Sequence, residues 1–500
     1  MAEAGAIGRL KQLFVPGRVG GGTALREAAA LTVSRYVDQA LMLLTPMLLV
    51  RVIDPAAFGE YRIFWLAGTT IALLAPLGIP NSLLYFFPRL DIAGRARFLG
   101  QALLFMGFTT ALWIAALFLA APLLPSGLVR LMHAHPLEIC IFAACWTLST
   151  LLDTLPIAAK QVYWQSGATV AVSAVRTALV LGTAILFRDV EKILLAVAAF
   201  TIFRVAVLAW FVKRRAAVRL FPIERQDFTR HLRYSLPFGC AGLLYSVRRQ
   251  GEQWIAAAMF SASAFGAFTI GLSLLLPFDV VRNVISTLLL PRMSQAQFAG
   301  SVHDAVELNR RGNVLSFFAI MPGVAFLFAF APDVIGVLFT HRYLAAAPVL
   351  RIYLIQVAIL LEITTILNVL RLGRFQIGYA VFLLPLSIGL SYLGAHLIGM
   401  PGAAVGSLVA QLLAYVIVFW RLSQVLATPV SKLQDWRTLF AIAFCAVGAA
   451  AIALLAAYLA APAAPVRCAL GAAVLALAYL ALVHACGISW ILAELRGRRA

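Results

Sequence analysis

Charged residues lie inside the long apolar segments of this chain, and they constrain its fold more than any other feature. Arg35 and Asp38 lie within one such segment, and Asp279 and Arg282 lie within another. An arginine or aspartate at the centre of a bilayer costs about 2.5–3.5 kcal/mol. Because a folded protein is stable by only about 5–15 kcal/mol, these groups must face one another or a watery cavity. A polar cavity at membrane depth indicates transport.

The apolar segments predict an all-α polytopic membrane protein. The chain is 63% hydrophobic with a mean hydropathy of +0.94, and 12% of its residues are charged, against about 25% in soluble domains. Runs of about 20 apolar residues, the length that crosses a bilayer, recur from end to end. We predict fourteen helices at 28–53, 61–87, 99–121, 137–157, 165–187, 193–212, 235–260, 265–290, 314–332, 349–370, 377–398, 403–422, 438–461 and 466–489.

The distribution of positive charge predicts the orientation of these helices. Most Lys and Arg residues lie in the segments on the same side as both termini, so the positive-inside rule places both termini in the cytoplasm. The net charge of +20 is therefore a topological signal, and no nucleic-acid partner is expected. The predicted cytoplasmic segments include 1–27, a basic linker at 213–234 and a basic tail at 490–500. The linker also attracts anionic lipid or, alternatively, docks a cytoplasmic partner.

A weak internal repeat predicts two lobes. Shifting the chain by 207 residues places Arg26 on Arg233 and Ala57-Phe58-Gly59 on Ala264-Phe265-Gly266. Because six helices separate the copies, both halves have the same orientation. Parallel repeats form transporters whose substrate site lies at the repeat interface. We predict an N-lobe at 28–212 and a C-lobe at 235–422 around a central cavity, with two extra helices at 438–489.

The intramembrane charges are the candidate functional residues. Arginines exceed acids, and a guanidinium group in a cavity binds phosphate or carboxylate through two parallel hydrogen bonds. Intramembrane acids either orient such arginines or carry a coupling H⁺ or Na⁺. The predicted substrate-binding residues are Arg35, Arg62, Arg176, Arg204, Arg248, Arg249 and Arg282. The predicted orienting or ion-coupling residues are Asp38, Asp153, Glu252, Asp279 and Glu362.

A structural role for these charges is the alternative. Arg35 with Asp38, Arg249 with Glu252 and Asp279 with Arg282 each share a helix face at a spacing of three residues, which suits internal ion pairs. Arg62 lies close to a helix end, where an arginine can extend its charge into water. Glu362 has no basic neighbour on its own predicted helix, which favours proton binding there.

Nothing in the sequence predicts catalysis or a metal site. The six cysteines lie in or beside apolar spans, and their spacing matches no metal site or disulfide framework. A membrane enzyme such as a glycan polymerase or a sugar acyltransferase needs a sizeable outer loop or an interfacial cluster of histidine and acidic residues. The longest predicted outer loops have only about fifteen residues, which disfavours such an enzyme. We therefore expect a transporter, not an enzyme, without a cofactor beyond a coupling ion.

The N-terminal sequence resembles a known family. Its matching residues are Arg51-Val-Ile-Asp54-Pro55-Ala-Ala-Phe58-Gly59-Glu-Tyr61, Leu77-Gly78-Ile-Pro80-Asn81-Ser82 and Tyr85-Phe-Phe-Pro88-Arg89. They resemble the opening of the Wzx-type polysaccharide-biosynthesis flippases of the multidrug/oligosaccharidyl-lipid/polysaccharide exporter superfamily. The resemblance implies two six-helix lobes around a cationic cavity. It also implies transfer of an undecaprenyl-pyrophosphate-linked oligosaccharide across the bacterial inner membrane for O-antigen, capsule or exopolysaccharide assembly.

Two related families remain as alternatives. Fourteen helices also resemble the MurJ lipid II flippases, in which the last two helices form a lipid-tail groove that 438–489 would supply here. A small-molecule exporter of the same fold is the other alternative, although such exporters favour an acidic cavity. The expected partners are the lipid-linked oligosaccharide, membrane lipids, and a glycan polymerase with its export machinery.

Overall fold

The computed structural model describes residues 22–124, 126–214, 229, 244, 246–248, 250–298, 301–460, 463–488 and 490–491. Within these ranges the chain is helical and contains no strand. Ten of the described helices are long and apolar enough to cross a membrane. The protein is therefore a multi-pass membrane protein, and the all-α class expected from the sequence is confirmed.

The N-lobe is built from helices whose apolar faces pack on one another. The first helix, α1, packs along α8, and α6 packs against α2, α4 and α9. Phe64 of α2 stacks on Phe142 of α6 with ring centroids 5.2 Å apart. The helices are α1 (Gly22–Val52), α2 (Pro55–Leu74), α3 (Ile79–Phe86), α4 (Ile92–Leu119), α5 (Ser126–Ala134), α6 (Pro136–Ser149), α7 (Leu155–Ala158), α8 (Val162–Phe187) and α9 (Val190–Arg214), with 3₁₀ turns at Phe87–Arg89, Ala121–Leu123 and Thr150–Asp153.

The C-lobe repeats this arrangement. Residues 250–259 are helical and precede the helices that form the rest of the lobe. The helices are α10 (Ala262–Ser273), α11 (Leu276–Phe298), α12 (Val302–Ala329), α13 (Ala331–Phe339), α14 (Ala346–Ile359), α15 (Thr364–Val369), α16 (Gly373–Ile398), α17 (Met400–Leu426), α18 (Val430–Leu433), α19 (Trp436–Ala460) and α20 (Ala464–Ala485), with a 3₁₀ turn at His341–Tyr343.

The two lobes meet at equivalent positions of the repeat. Asp54 caps α2 by accepting a hydrogen bond from the amide of Ala57, and Ser261, 207 residues later, caps α10 in the same way. These caps satisfy amide groups that a helix start leaves without partners. Beside them, α2 packs against α10. A β-carbon on Gly59 would overlap the carbonyl group of Ala262, so glycine permits this close approach of the lobes.

Four predicted helices are divided in the structure. The span 61–87 is divided between Leu74 and Ile79, and the span 137–157 is divided at the 3₁₀ turn Thr150–Asp153. The predicted span 349–370 is divided, because residues 360–363 between α14 and α15 are not helical. The predicted span 265–290 is divided at Leu274–Leu275 and extends to Phe298. It continues through Pro291, and membrane helices tolerate such a proline because neighbouring groups satisfy the freed backbone group. Most of the predicted span 235–260 lies outside the described residues.

The C-terminal pair α19 and α20 packs on the C-lobe. Within this pair the two helices pack on each other, and α19 also packs on α12. The Tyr479 hydroxyl donates to the carbonyl of Phe318 at 3.1 Å. At one end of the pair, Arg467 donates to the buried Asp333 of α13 at 2.6 Å, and Tyr458 donates to the same carboxylate at 2.9 Å.

Candidate functional site

A polar cavity of about 430 Å³ lies within the N-lobe. Its wall comes from α1, α2, α6, α8 and α9 and from the segment at residues 152–157. Five of the predicted site residues line it, namely Arg35, Asp38, Asp153, Arg176 and Arg204. The remaining lining residues with polar groups include Ser34, Gln39, Thr69, Gln165, Thr169 and Ser173, together with Trp65 and Trp146.

Two of the cavity arginines form ion pairs between helices. Arg176 of α8 binds Asp38 of α1 at 3.0 Å, and Ser173 donates a second hydrogen bond to the same carboxylate oxygen. Asp38 therefore pairs with a neighbouring helix, and not with Arg35 on its own helix. Each ion pair reduces the cost of placing two charges at membrane depth.

The second pair joins Arg204 of α9 to Asp153, and the Arg204 guanidinium lies 4.5 Å from the ring centroid of Trp146. Arg204 is buried, whereas Asp153 is exposed to the cavity. The arginine is thus held by a carboxylate and by an aromatic face, whose negative quadrupole attracts cations.

Arg35 differs from these two arginines. It lines the same cavity and is exposed, and it makes no hydrogen bond or ion pair with any residue in the part of the chain that the structure describes. With three arginines and two aspartates on its wall, the cavity carries a formal excess of one positive charge. The N-lobe cavity is therefore suited to an anionic ligand.

A second polar cavity, of about 450 Å³, lies between the lobes. Its charged lining residues are Arg62 from the N-lobe and Arg248, Glu252 and Asp279 from the C-lobe. These charges sum to zero, so the described wall of the central cavity is polar but not cationic. Met42 of α1 lines both cavities, so the two cavities border each other at this side chain.

Hydrogen bonds join the lobes beside the central cavity. Thr70 of α2 donates to Gln250 at 2.8 Å and accepts from the indole of Trp254 at 3.0 Å. In the C-lobe, Arg248 donates to Gln411 of α17 at 3.3 Å. The Nε atom of Arg62 is buried and has no hydrogen-bond partner among the described residues. Uncharged polar side chains within apolar spans, such as Gln411, are a sequence signal for this site that the charges alone do not reveal.

Arg282 and Glu362 hold the break in the helix at residues 360–363. The buried Arg282 donates to the carbonyl of Val357 in the last turn of α14 at 3.0 Å. Glu362 accepts hydrogen bonds at the start of α15 from the amide and hydroxyl of Thr365, at 3.3 and 3.0 Å. The positive side chain lies at a helix C-terminus and the negative one at an N-terminus, which both helix dipoles favour.

A polar network completes the break. Asn313 accepts a hydrogen bond from the amide of Glu362 at 2.7 Å, and Asn309 donates to the carbonyl of Glu362 at 2.7 Å. Tyr415 accepts from the amide of Leu361 at 2.9 Å. Gln434 bonds to both asparagines. Backbone groups freed by the break are thus satisfied by side chains, as the membrane interior requires.

The predicted substrate-binding arginines are divided between the two cavities. Arg35, Arg176 and Arg204 line the N-lobe cavity, and only Arg62 and Arg248 line the central one. Arg249 lies outside the described residues. Among the described residues, no group of three His, Cys, Asp or Glu side chains is placed to hold a metal ion.

The comparisons with known proteins agree with this architecture. A family model described as "Polysaccharide biosynthesis protein" matches residues 24–297. No curated protein matches the chain. The structure of a lipid II flippase, MurJ, in an inward closed conformation superimposes with a TM-score of 0.71 at 10% identity, covering 91% of this chain and 99% of that one.

Two further solved structures have the same fold. An inward-facing multidrug resistance MATE transporter of the MOP superfamily has a TM-score of 0.58 at 16% identity over 79% of this chain and 95% of its own. A MOP superfamily transporter from Pyrococcus furiosus, described as having a binding pocket of reverse polarity, has a TM-score of 0.56 at 16% identity over 82% and 95%. At these identities the likeness establishes the fold.

Proposed function

Because the chain belongs to the polysaccharide biosynthesis protein family, we propose that it is a flippase for a lipid-linked oligosaccharide. The substrate, carried on undecaprenyl pyrophosphate, is moved from the inner to the outer leaflet of a bacterial inner membrane. The transported repeat unit serves O-antigen, capsule or exopolysaccharide assembly. A glycan polymerase and its export machinery then receive it on the outer side.

The observation that carries this proposal is the environment of Arg35. Its guanidinium group lines a polar cavity inside an apolar bundle and makes no hydrogen bond or ion pair with the described residues. A pyrophosphate presents several oxygens that match the planar guanidinium fork. Arg176 and Arg204, by contrast, already bind carboxylates, so they shape the cavity in which Arg35 binds the anion.

Alternating access follows from the contact between the lobes. With a cytoplasmic N-terminus, α1 crosses outward, and the contact of Gly59 with Ala262 closes the outer end of the molecule. The cavities then open toward the cytoplasm, where the substrate is made. Separation of α2 from α10, with closure at the opposite end, exposes the substrate to the outer leaflet.

A gradient of H⁺ or Na⁺ is the proposed driving force. Glu252 and Asp279 line the central cavity, where a carboxylate can bind a cation or proton as the lobes move. Glu362 is less suited, because its carboxylate already caps α15. Transport in proteoliposomes should lose its dependence on an imposed pH or Na⁺ gradient in Glu252→Gln or Asp279→Asn; unchanged dependence in both variants would exclude these acids.

Leaflet distribution of the substrate tests the proposed function. In a strain that lacks this protein, lipid-linked repeat units should accumulate on the cytoplasmic face. Arg35→Ala should reduce glycan export about tenfold or more, since a hydrogen bond to a charged group contributes about 1.5–3 kcal/mol. Arg26→Ala is the matched control, because Arg26 is exposed on the same helix and lines neither cavity.

Other outcomes identify other functions. Normal glycans with altered sensitivity to toxic small molecules would reject the flippase and indicate an exporter. Accumulation of peptidoglycan precursor on the cytoplasmic face, with normal surface glycans, would indicate lipid II as the substrate. In the strain that lacks this protein, accumulation of unpolymerised repeat units on the outer face would indicate that the protein is a polymerase.

A further inference from the structure

An apolar groove of about 520 Å³ lies between α8 and α9. No charged residue lines it, in contrast to the two polar cavities. Its floor contains small residues of both helices, and aromatic side chains border it. The lining residues are Tyr163, Trp164, Gly167, Ala168, Ala171, Val172, Phe203, Ala206, Val207 and Trp210.

The groove is open enough to hold a branched chain. A β-carbon on Gly167 would meet no atom within 4 Å, and the alanines beside it add little volume. Trp164 and Trp210 stack at one end with ring centroids 6.1 Å apart. Tryptophan favours the boundary between headgroups and hydrocarbon. The groove therefore runs from the membrane surface into the hydrocarbon region.

The groove and the N-lobe cavity share part of one wall. Ala168 and Val172 of α8 line both. Ser173, the next residue of α8, and Arg176, one turn beyond Val172, line the cavity. A single helix thus has an uncharged groove on one side and a cationic cavity on the other, an arrangement that suits a ligand with an anionic head and an apolar chain.

We propose that this groove binds the polyprenyl chain of the lipid-linked oligosaccharide while its pyrophosphate lies in the N-lobe cavity. This inference rests on the proposed function. It places the polyprenyl chain of the substrate in the N-lobe. The MurJ-like alternative would instead place the lipid tail in a groove formed by 438–489. The C-terminal pair has its own structural role, because α19 packs on α12 and Arg467 binds Asp333.

Photolabelling of the full-length protein tests the proposal. The probe is a polyprenyl monophosphate with a diazirine on its chain, added to protein in nanodiscs of phosphatidylethanolamine and phosphatidylglycerol. Labelled peptides should map to residues 163–210. Gly167→Leu adds a side chain to the groove at a position where a β-carbon meets no atom within 4 Å, and it should reduce this labelling about tenfold, which corresponds to about 1.4 kcal/mol.

Gly182→Leu is the matched control. Gly182 lies on the same helix, and a β-carbon added to it would meet no atom within 4 Å. Because Gly182 does not line the groove, photolabelling of residues 163–210 in Gly182→Leu should equal that in the wild type. Equal labelling of the groove by an acyl-chain probe on phosphatidylglycerol would overturn the proposal, as would labelling confined to 436–485. The leaflet assay tests the function separately: a substrate that does not accumulate when the protein is absent rejects the flippase, whatever the labelling pattern.

Discussion

Arg282 donates a hydrogen bond of 3.0 Å to the carbonyl of Val357, where α14 ends inside the membrane region. The last carbonyls of a helix lack the usual partner four residues on, and the Val357 carbonyl accepts from the amide of Leu360 at 3.3 Å as well as from Arg282. A buried positive charge at this end also complements the helix dipole. Val357 itself lines the central cavity. A residue that the sequence assigned to substrate binding therefore holds the backbone that shapes the cavity wall.

Replacing Arg282 should destabilise the break. Arg282→Ala leaves the Val357 carbonyl without its charged donor, so the free energy of unfolding should fall by about 1.5–3 kcal/mol. The apparent melting temperature in detergent, followed by fluorescence-detected size exclusion, measures this. Arg421→Ala is the control, since Arg421 contacts only Gln424 on its own helix among its described hydrogen bonds. An unchanged melting temperature in Arg282→Ala would contradict the capping role.

The pair of Arg176 and Asp38 should behave as one unit. Each single change, Arg176→Gln or Asp38→Asn, leaves the other charge without its partner and should cost about 1.5–3 kcal/mol, the contribution of a hydrogen bond to a charged group. The double variant removes both charges and should recover most of that loss. A double-mutant cycle on thermal stability measures the coupling. Additive losses would show that the two side chains act independently.

The contact at Gly59 should be required for closure of the lobes. Gly59→Val places a branched side chain against the carbonyl of Ala262, and overpacking of this kind costs about 1–3 kcal/mol. We expect the distance between spin labels on α2 and α10 to increase and glycan export to fall. Gly100→Val is the control, because a β-carbon there meets no atom within 4 Å. A wild-type distance distribution in Gly59→Val would refute the prediction.

The hydrogen bonds of Thr70 should stabilise the arrangement in which α2 and α10 are in contact over the one in which the lobes are separated. Thr70→Val keeps the shape but removes the hydroxyl that bonds to Gln250 and Trp254, and each lost hydrogen bond contributes about 0.5–1.5 kcal/mol. The same spin-label distances should shift toward separated lobes. Thr147→Val is the control, since within the described part of the chain the Thr147 hydroxyl bonds only to the carbonyl of Ala143 on its own helix. If Thr70→Val and Thr147→Val change the spin-label distances equally, the Thr70 hydroxyl does not control the arrangement of the lobes.

Local patterns in the sequence account for the architecture. Apolar runs of membrane-spanning length identify most of the helices, since hydrocarbon selects segment length and composition directly. The 207-residue repeat also anticipates the structure, because Asp54 and Ser261 cap equivalent helices. The break at 360–363 was not anticipated. It depends on Asn309, Asn313 and Tyr415, which reach it from other helices.

The sequence by itself therefore determined the class of protein, the approximate position of its helices, and the set of buried charges that any fold must accommodate. Only the tertiary structure decided what each charge does. Asp38 binds Arg176 of α8 and not Arg35 on its own helix, and Arg282 caps α14. The physical reason is that insertion into a membrane depends on the composition of each segment, whereas the partner of a buried charge depends on which helix packs beside it.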